Sequence, residues 1–300
     1  MGKFLKYIVL WGLVFGMLAY VLSVGTLWAL RKSAFYKPTF VVNAVKKSNF
    51  DYIILGASTG LTTLNTKLID SLTGKQGINL AIDDSGLPNH YLMLQHFLAS
   101  GKTTKFCVIV PVFDALDVEV NTQSDNDYRF LMFNHTRYVQ DYYATLEPKE
   151  GLNVLKYSKW LPFLGVSYYS TELFFPSLVS LVNPHRHNRF DDRGNYTYSD
   201  NSHSIPVSEI KEKSLAFKNP YIHKIEALCR QHGIQPIFYL APHSYERVTY
   251  YQPERVIINH SQILENNGYF YDAMHVNTHG NIVASKRFSE AFMACINELK

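Results

Sequence analysis

Residues 51–60 read DYIILGASTG, and the fold class of the chain follows from this stretch. Its first half, residues 52–55, is a short apolar run with β-branched residues, which predicts a strand buried on both faces. The second half is a glycine-bounded turn that presents Ser58 between small neighbours, so the backbone can turn sharply and leave the hydroxyl uncovered. Because open α/β sheets bind ligands at the carboxyl ends of such strands, Ser58 is a candidate nucleophile. The alternative is a plain strand-to-helix turn in which Ser58 or Thr59 caps the next helix.

Strands and helices alternate on the C-terminal side of this stretch and again near the end of the chain. The alternation predicts an α/β fold: a three-layer, flavodoxin-like arrangement with a five-stranded parallel sheet, in a domain of residues 50–300. The predicted strands lie at 52–55, 77–82, 106–112, 235–240 and 269–271. The predicted helices lie at 61–72, 88–100, 208–232 with an interruption at Pro220, 253–266 and 281–299.

The alternation breaks at about residues 117–206, a segment rich in tyrosine and phenylalanine that also contains Trp160. We interpret it as a partly helical insertion above the strand ends, which could serve as a cap or as an acceptor-binding surface. The alternative is that its aromatic side chains pack a small core of their own. A pair of histidines in its polar part, His185 and His187, is expected to be solvated rather than to bind a metal.

Residues 8–30 form an uncharged stretch of 23 residues, long enough to cross a bilayer core of about 30 Å as a helix. A cleaved signal peptide has a shorter apolar core of about 7–15 residues and a small-x-small cleavage site, and no convincing site precedes Arg31. We therefore expect residues 1–31 to be an uncleaved transmembrane signal-anchor, followed by a connector at 32–49. The large domain is expected outside the cytoplasm at the cell (inner) membrane; a domain that faces the cytoplasm is the alternative.

Composition excludes some classes of function. The net charge of +4 is modest and no basic tract indicates nucleic acid binding. The 21 tyrosines and 19 phenylalanines are compatible with a surface that stacks on sugars or lies near lipid, and equally with a large core. The three cysteines, Cys107, Cys229 and Cys295, have neither metal-ligand spacing nor a CxxC motif. We expect no metal and no other cofactor.

Asp272-Ala-Met-His275 directly follows the last predicted strand. A histidine can take a proton from a serine hydroxyl if it lies within hydrogen-bond reach and in the right tautomer, which a carboxylate on its other nitrogen fixes. Asp-x-x-His on one turn can deliver both groups, and at the carboxyl edge of the same sheet they can meet Ser58. The alternatives are a helix cap for Asp272 and a hydrogen-bonded rim histidine for His275. Three nearby rim residues, His243, Asn277 and His279, stay outside the predicted catalytic set.

With Gly56-Ala57-Ser58 as a first block and Asp272-x-x-His275 as a last block, the chain resembles the SGNH (GDSL-like) hydrolase superfamily over residues 51–112 and 235–299. The resemblance implies that Ser58 is the nucleophile, His275 the general base and Asp272 its orienting acid. It also implies that the N–H of Gly86, in the second block, joins the N–H of Ser58 in the oxyanion hole.

Two blocks depart from the family pattern. Ala57 stands where the family has an aspartate, and Val112-Phe113-Asp114 stands where it has Gly-x-Asn-Asp. A carboxylate such as Asp114 cannot donate a hydrogen bond unless it is protonated, so the side-chain oxyanion donor is missing. Gly56-x-Ser58-x-Gly60 also matches the nucleophile elbow of α/β-hydrolases, but that fold needs several strands before the serine.

The chain resembles membrane-anchored SGNH-like proteins of surface-polymer acylation. The resemblance implies transfer of an acyl group, often acetyl or D-alanyl, to a cell-surface polysaccharide or wall polymer, with a multi-pass membrane acyltransferase as partner. An envelope carbohydrate esterase or lipase with the same triad is one alternative. A non-catalytic scaffold or glycan-binding protein with degraded blocks is the other.

Overall fold

The computed structural model describes residues 2–118, 121–200, 209–264 and 266–299. The chain divides into two compact units. The first, which we call the anchor unit, consists of Met1–Lys46 and Asp127–Asn188. The second, which we call the sheet unit, consists of Lys47–Asn126 and Arg189–Lys300.

The sheet unit contains a five-stranded parallel sheet, as the sequence predicts, and a separate parallel pair of strands. In chain order the strands are β1 (Asn49–Gly56), β2 (Gly77–Asn79), β3 (Thr103–Val110), β4 (Lys211–Leu215), β5 (Gln235–Leu240), β6 (Glu246–Tyr250) and β7 (Ile257–Asn259). The main sheet has the order β2-β1-β3-β5-β7, the order of flavodoxin-like sheets, and β4 pairs with β6. The carboxyl ends of β1, β3 and β5 therefore lie side by side.

The helices of the anchor unit are α1 (Gly2–Arg31), α2 (Lys37–Asn43), α6 (Arg137–Thr145), α7 (Val154–Tyr157), α8 (Pro162–Tyr168) and α9 (Ser170–Val182). Those of the sheet unit are α3 (Ser58–Thr63), α4 (Thr66–Thr73), α5 (Leu87–Ala99), α10 (Pro220–Gln231) and α11 (Thr278–Glu298). Short 3₁₀ helices lie at Phe113–Leu116, Asp127–Phe133 and Asn267–Tyr269.

The main sheet is covered on both faces, because alternate side chains of each strand point to opposite sides. One face packs on α4 and α11: Tyr52 lies in a cluster with Ile69 and meets the ring of Phe292 at 5.4 Å. On the other face, α5 and α10 pack against the strands, and the buried thiol of Cys107 lies against that of Cys229. Helices therefore bury both faces of the main sheet.

Two predicted elements near the end of the sheet are wrong. The fifth strand is β7, inside the stretch predicted as a helix at 253–266, because Ile257 pairs with Phe238 of β5. Residues 269–271, predicted as that strand, instead end a 3₁₀ helix, and the buried Phe270 forms a single antiparallel bridge to Val276.

Two other predicted helices are also corrected. The helix predicted at 208–232 begins only at Pro220, since residues 211–215 form β4 beside β6. The helix predicted at 61–72 is two helices, because the side chain of Asn65 accepts from the N–H groups of Lys67 and Leu68 and starts α4 anew. Residues 201–208, which end the predicted insertion and begin the predicted helix, lie outside the described residues.

In the anchor unit, α1 is long and apolar enough to cross a membrane; a signal sequence has the same pattern. Its buried residues all lie between Ser23 and Leu30, and it packs against α8 and α9. Aromatic residues of the predicted insertion pack a core within this unit; Tyr128, for example, stacks on Tyr169 at 4.8 Å. Part of the predicted connector forms α2, most of which is buried.

Candidate active site

The end of β1 sets the position of Ser58. A Cβ atom on Gly56 would lie 2.6 Å from the carbonyl oxygen of Val110, so only glycine lets the ends of β1 and β3 approach this closely. Ala57 is the N-cap of α3, no side chain caps that helix, and Ser58 is its first residue. The alternative of a capping serine or threonine at 58 or 59 is therefore not what the structure contains.

The three predicted triad residues are in contact. The Ser58 hydroxyl lies 2.7 Å from Nε2 of His275, although the two residues are 217 positions apart. Nδ1 of His275 lies 2.7 Å from Oδ2 of Asp272 and 2.9 Å from Oδ1. With Nδ1–H donating to the carboxylate, Nε2 is left to accept the proton of the Ser58 hydroxyl.

A tight loop holds the acid and the base together. Oδ1 of Asp272 accepts the backbone N–H groups of Met274 at 3.0 Å and His275 at 2.8 Å. Burial alone would raise the pKa of Asp272, but hydrogen bonds from the His275 ring and from these two N–H groups outweigh it and hold the pKa below its usual value. Asp272 is therefore ionised at neutral pH and can stabilise an imidazolium at His275.

Gly86, the predicted oxyanion donor, is the N-cap of α5 in the segment that follows β2. Two bonds tie this segment to the end of β1: the carbonyl of Gly56 accepts the N–H of Ile82 at 2.9 Å and the hydroxyl of Ser85 at 3.5 Å. Among the described residues, the N–H groups of Ser58 and Gly86 donate to no other protein group. Their role in an oxyanion hole stays a prediction.

A cavity of about 120 Å³ opens at the carboxyl ends of β1, β3 and β5. It lies beside the triad, since its lining includes Thr59 and Met274, the sequence neighbours of Ser58 and His275, although no triad residue itself lines it. The other lining residues are Pro111, Val112, Phe113, Asp114, Ala241, Pro242, His243, Tyr245 and Glu246. We call it the acyl cavity, after the acyl group that a nucleophilic Ser58 is expected to carry beside it.

Two polar side chains of the acyl cavity are Thr59, which the sequence offered only as a helix cap, and His243, which it named as an exposed rim residue that could line the pocket. The hydroxyl of Thr59 is buried and has no hydrogen-bond partner within the described ranges. The side chain of His243 is only 8% exposed, and its ring lies 5.8 Å from that of Phe113 and 4.7 Å from that of Tyr245. Burial lowers the pKa of His243, against the opposing effect of Glu246, so this imidazole is neutral at pH 7.

His243 thus differs from the other rim residues that the sequence singled out. It is the third residue after β5, much as Ser58 is the second after β1, and this parallel is the sequence signal for its place at the rim. Asn277 instead caps α11 by accepting the N–H of Gly280 at 3.0 Å. His279 is exposed and lies 3.7 Å from the carboxylate of Asp200.

The segment Val112–Asp114, which stands in place of the expected Gly-x-Asn-Asp, follows β3 and lines the acyl cavity. The carboxylate of Asp114 forms an ion pair with Nζ of Lys213 on β4. Asp114 is therefore an acceptor, and none of the described residues that line the cavity is an asparagine or a glutamine. Among the described residues that line the cavity, the side-chain donors that remain are the hydroxyls of Thr59 and Tyr245 and the imidazole of His243.

One tyrosine ring, that of Tyr198, contacts the imidazole of His275, and two more tyrosine rings pack against Tyr198. Tyr198 lies edge-to-face with His275 at 5.4 Å, stacks on Tyr271 with ring centroids 4.3 Å apart, and meets Tyr196 at 5.4 Å. All three tyrosines are half-buried and none lines the acyl cavity. We call Tyr196, Tyr198 and Tyr271 the tyrosine rim. No sequence motif indicates it, because its members meet only in the folded chain.

No family model matches the chain, and a comparison with curated proteins finds no match. What the site can do is therefore inferred from its geometry. A serine hydroxyl within hydrogen-bond distance of an imidazole that a carboxylate orients is an activated nucleophile for acyl carbonyl groups.

Proposed function

We propose that the chain is a serine-dependent acyl-transfer enzyme of the cell envelope, which moves a short O-acyl group such as acetyl to or from a polysaccharide. The single observation that carries the proposal is the 2.7 Å contact between the Ser58 hydroxyl and Nε2 of His275, with Asp272 on the other ring nitrogen. The five-stranded sheet with its order and the position of Ser58 after β1 support membership of the SGNH superfamily.

In the first half-reaction, Ser58 Oγ bonds to the acyl carbon while its proton passes to Nε2 of His275. The bond from the acyl carbon to the leaving oxygen then breaks, and that oxygen takes the proton back from His275. In the second half-reaction, an acceptor hydroxyl gives its proton to His275 and attacks the acyl-serine, and Ser58 Oγ leaves with that proton. Asp272 stays ionised throughout and stabilises the imidazolium.

The size of the acyl cavity favours a short acyl group. Pockets for drug-sized ligands measure roughly 300–1,000 Å³. The acyl cavity, at about 120 Å³, accepts an acetyl-sized group and is too small for a long fatty chain. This observation disfavours a lipase among the alternatives.

The location follows from α1. Its last turns, between Ser23 and Leu30, are buried within the anchor unit, which supports an uncleaved anchor rather than a removed signal sequence. We infer a single-pass protein of the cell (inner) membrane with the sheet unit outside the cytoplasm. A multi-pass membrane acyltransferase is the inferred acyl donor, and a cell-surface polysaccharide or wall polymer the acceptor.

The experiment is release of p-nitrophenol from p-nitrophenyl acetate by the full-length protein in detergent. Ser58→Ala is expected to lower kcat/KM by a factor of about 10³ or more, because the triad acts as a unit. Ser71→Ala, which removes an exposed hydroxyl on α4, is the matched control and should have no effect. A fluorophosphonate probe should label the wild type and Ser71→Ala but not Ser58→Ala. A folded wild type that is neither labelled nor active would favour the non-catalytic scaffold.

A further inference from the structure

The tyrosine rim is fixed relative to the catalytic base. The backbone of Tyr198 forms a parallel bridge with Asn277, and its carbonyl accepts the hydroxyl of Thr278 at 3.1 Å. The N–H of Tyr271 donates to the carbonyl of His275 at 2.7 Å. These bonds tie the backbones of Tyr198 and Tyr271 to the segment that carries His275.

The second half-reaction defines what must lie against this surface. The acceptor hydroxyl can give its proton to His275 only if its oxygen comes within about 3 Å of Nε2. Because the acyl cavity holds the acyl group, the rest of the acceptor then contacts the protein surface that lies next to His275 outside that cavity. Among the described residues, the tyrosine rim is the aromatic surface in that position.

The chemistry of the rim matches a sugar. A pyranose ring presents a flat patch of C–H groups framed by hydroxyls. A half-exposed tyrosine can cover the C–H groups with its ring and exchange hydrogen bonds with the hydroxyls through its own O–H. Water, the competing acceptor, has no C–H groups and is not bound more tightly by an aromatic surface.

We propose that the tyrosine rim is the acceptor subsite, which binds one pyranose ring of a glycan and directs a hydroxyl at Nε2 of His275. The inference rests on the proposed function and extends it: a sugar held at the rim favours transfer to glycan over hydrolysis. Tyr198 is the central residue, since it touches both Tyr271 and His275.

The test measures how the acyl group divides between sugar and water. The full-length enzyme is given p-nitrophenyl acetate together with cellohexaose or chitohexaose, and acetylated sugar and free acetate are quantified. Tyr198→Ala is expected to lower the ratio of the two products about tenfold, and Tyr198→Phe to keep most of it, because phenylalanine retains the ring. Tyr251→Ala removes a tyrosine that is 86% exposed and outside the rim, and should leave the ratio unchanged.

The ratio is informative because damage to the triad lowers both products together. An equal ratio in Tyr198→Ala and the wild type overturns the rim, even where Ser58 is labelled and ester hydrolysis is intact. Where no acetylated sugar forms, sugar binding is measured instead, by saturation-transfer NMR on the Ser58→Ala variant. This variant should show contacts with the C–H groups of a hexasaccharide. A double variant that also carries Tyr198→Ala should lose them. No binding of either sugar to the folded Ser58→Ala chain also overturns the rim.

A second and independent feature lies in the anchor unit. Helix α9 packs against α1 and buries Leu173, Ser177 and Ser180. Its opposite side is open and apolar. The exposed large side chains of α9, between 44% and 88% exposed, are Phe175, Leu178, Leu181 and Val182.

Three observations indicate what covers this side. The apolar side of a helix belongs in a core or against lipid, and the apolar side of α9 is the one that the described residues leave exposed. The helix beside it, α1, has the length and composition of a membrane span, so the open side of α9 continues an apolar surface. Just before α9 lie the exposed Trp160 and Tyr168, with Nζ of Lys159 at 5.3 Å from the indole, a combination that suits a membrane interface.

We propose that α9 is embedded in the bilayer that α1 spans, as a second membrane contact that does not cross. Its 13 residues measure about 20 Å as a helix, less than the hydrocarbon core of about 30 Å. The small residues on its buried side, Ser177 and Ser180, permit the close helix packing found within membranes.

The test uses the full chain in phosphatidylcholine nanodiscs, in a Cys295→Ser background, since the other two cysteines are buried. An environment-sensitive fluorophore at Leu178→Cys or Val182→Cys should emit at shorter wavelength and be quenched by lipids brominated on the acyl chain. Glu150→Cys, exposed in the same unit, is the control and should report water. Equal emission and quenching at all three positions overturns the proposal. The proposal is also overturned, in favour of a protein partner, if the fluorophores on α9 emit at shorter wavelength only when another membrane protein is present.

Discussion

Each residue of the triad is oriented by the backbone around it. Ser58 is placed by the close approach of Gly56 to Val110, and Asp272 by the two N–H groups that its carboxylate accepts. The imidazole of His275 lies between them with both nitrogens engaged. Its tautomer therefore depends on the charge at residue 272.

Asp272→Asn should leave the shape of the loop intact and reverse that tautomer. The asparagine carbonyl can still accept the backbone N–H groups of residues 274 and 275, which turns its NH₂ group toward Nδ1. Nε2 then carries the hydrogen and cannot accept the Ser58 proton. We expect kcat/KM for p-nitrophenyl acetate to fall by a factor of about 10²–10⁴. Asp200→Asn, which alters a second Asp–His pair beside the exposed His279, should have no such effect; equal losses would contradict the assignment.

Thr59 offers a test of the polar wall of the acyl cavity. Thr59→Val removes a buried hydroxyl without changing the shape of the side chain. If that hydroxyl assists the carbonyl oxygen, kcat should fall by a factor of up to about 10² with little change in KM. The hydroxyl of Thr63 on the same helix is equally buried and unpaired among the described residues, but it does not line the cavity. Thr63→Val should keep full activity, and a similar kcat in both variants would exclude this role.

At this scale the sequence predicted the triad, named His243 only as a rim residue and missed Tyr198. Ser58 and the pair Asp272 and His275 each belong to a short motif that can be recognised locally. His243 and Tyr198 carry no motif. Their positions depend on which segments converge at the strand ends, and that is decided by the packing of the whole unit.

Among the elements, those defined by local pattern were predicted best. The apolar runs of β1, β3 and β5 and the glycine or proline boundaries of α5 gave the right type and nearly the right bounds. Strand β7 has only three residues and forms because β5 offers it an edge, a long-range cause that no local pattern records. Strand β4 has a polar sequence and depends on β6 in the same way.

Helix α5 carries a buried histidine that should make the sheet unit sensitive to acid. Neither ring nitrogen of His90 has a partner within the described ranges, and burial lowers its pKa to about 3. Its ordinary value is about 6.5, so between pH 6.5 and 3 the unfolded chain binds a proton that the folded chain does not. Stability should fall as the pH drops through this window, by up to about 1.4 kcal/mol per pH unit.

Urea unfolding of the full chain in detergent at pH 7.5 and pH 5 measures this effect. His90→Leu should lose less stability between the two pH values than the wild type, because it removes the titrating group. His223→Leu, which replaces a histidine whose side chain is 72% exposed, should behave as the wild type does. Unchanged pH dependence in His90→Leu would show that the acid sensitivity has another source.

At the scale of the whole chain, the two units are interleaved in sequence. The anchor unit takes the first 46 residues and then Asp127–Asn188, so the chain leaves it and returns. The sequence predicted an anchor, a connector and an insertion as separate segments, since composition shows where the strand pattern stops but not which segments share a core. The stacking of Tyr128 on Tyr169 and the packing of α1 on α9 are contacts of that shared core.

Truncation of α1 should therefore have two different effects. Deletion of residues 2–20 removes only the part of α1 that precedes its buried residues and should change the melting temperature in detergent little. Deletion of residues 2–31 also removes Leu27 and Leu30, each worth about 1.5–3 kcal/mol of burial, and should lower it by about 5 °C or more. Equal melting temperatures for the two truncations would contradict the packing of α1 in the unit.

The acid and the base of the triad share a single four-residue loop, whereas the nucleophile Ser58 is 217 positions from His275 in the sequence. An agent that displaces this loop, such as an antibody or a designed ligand, would move Asp272 and His275 away from Ser58 together. Ser58 would then have the reactivity of an ordinary alcohol. Reactivity in this chain therefore depends on the shape of the loop just before α11. For an inhibitor, displacing that loop is an alternative to reacting with the serine itself.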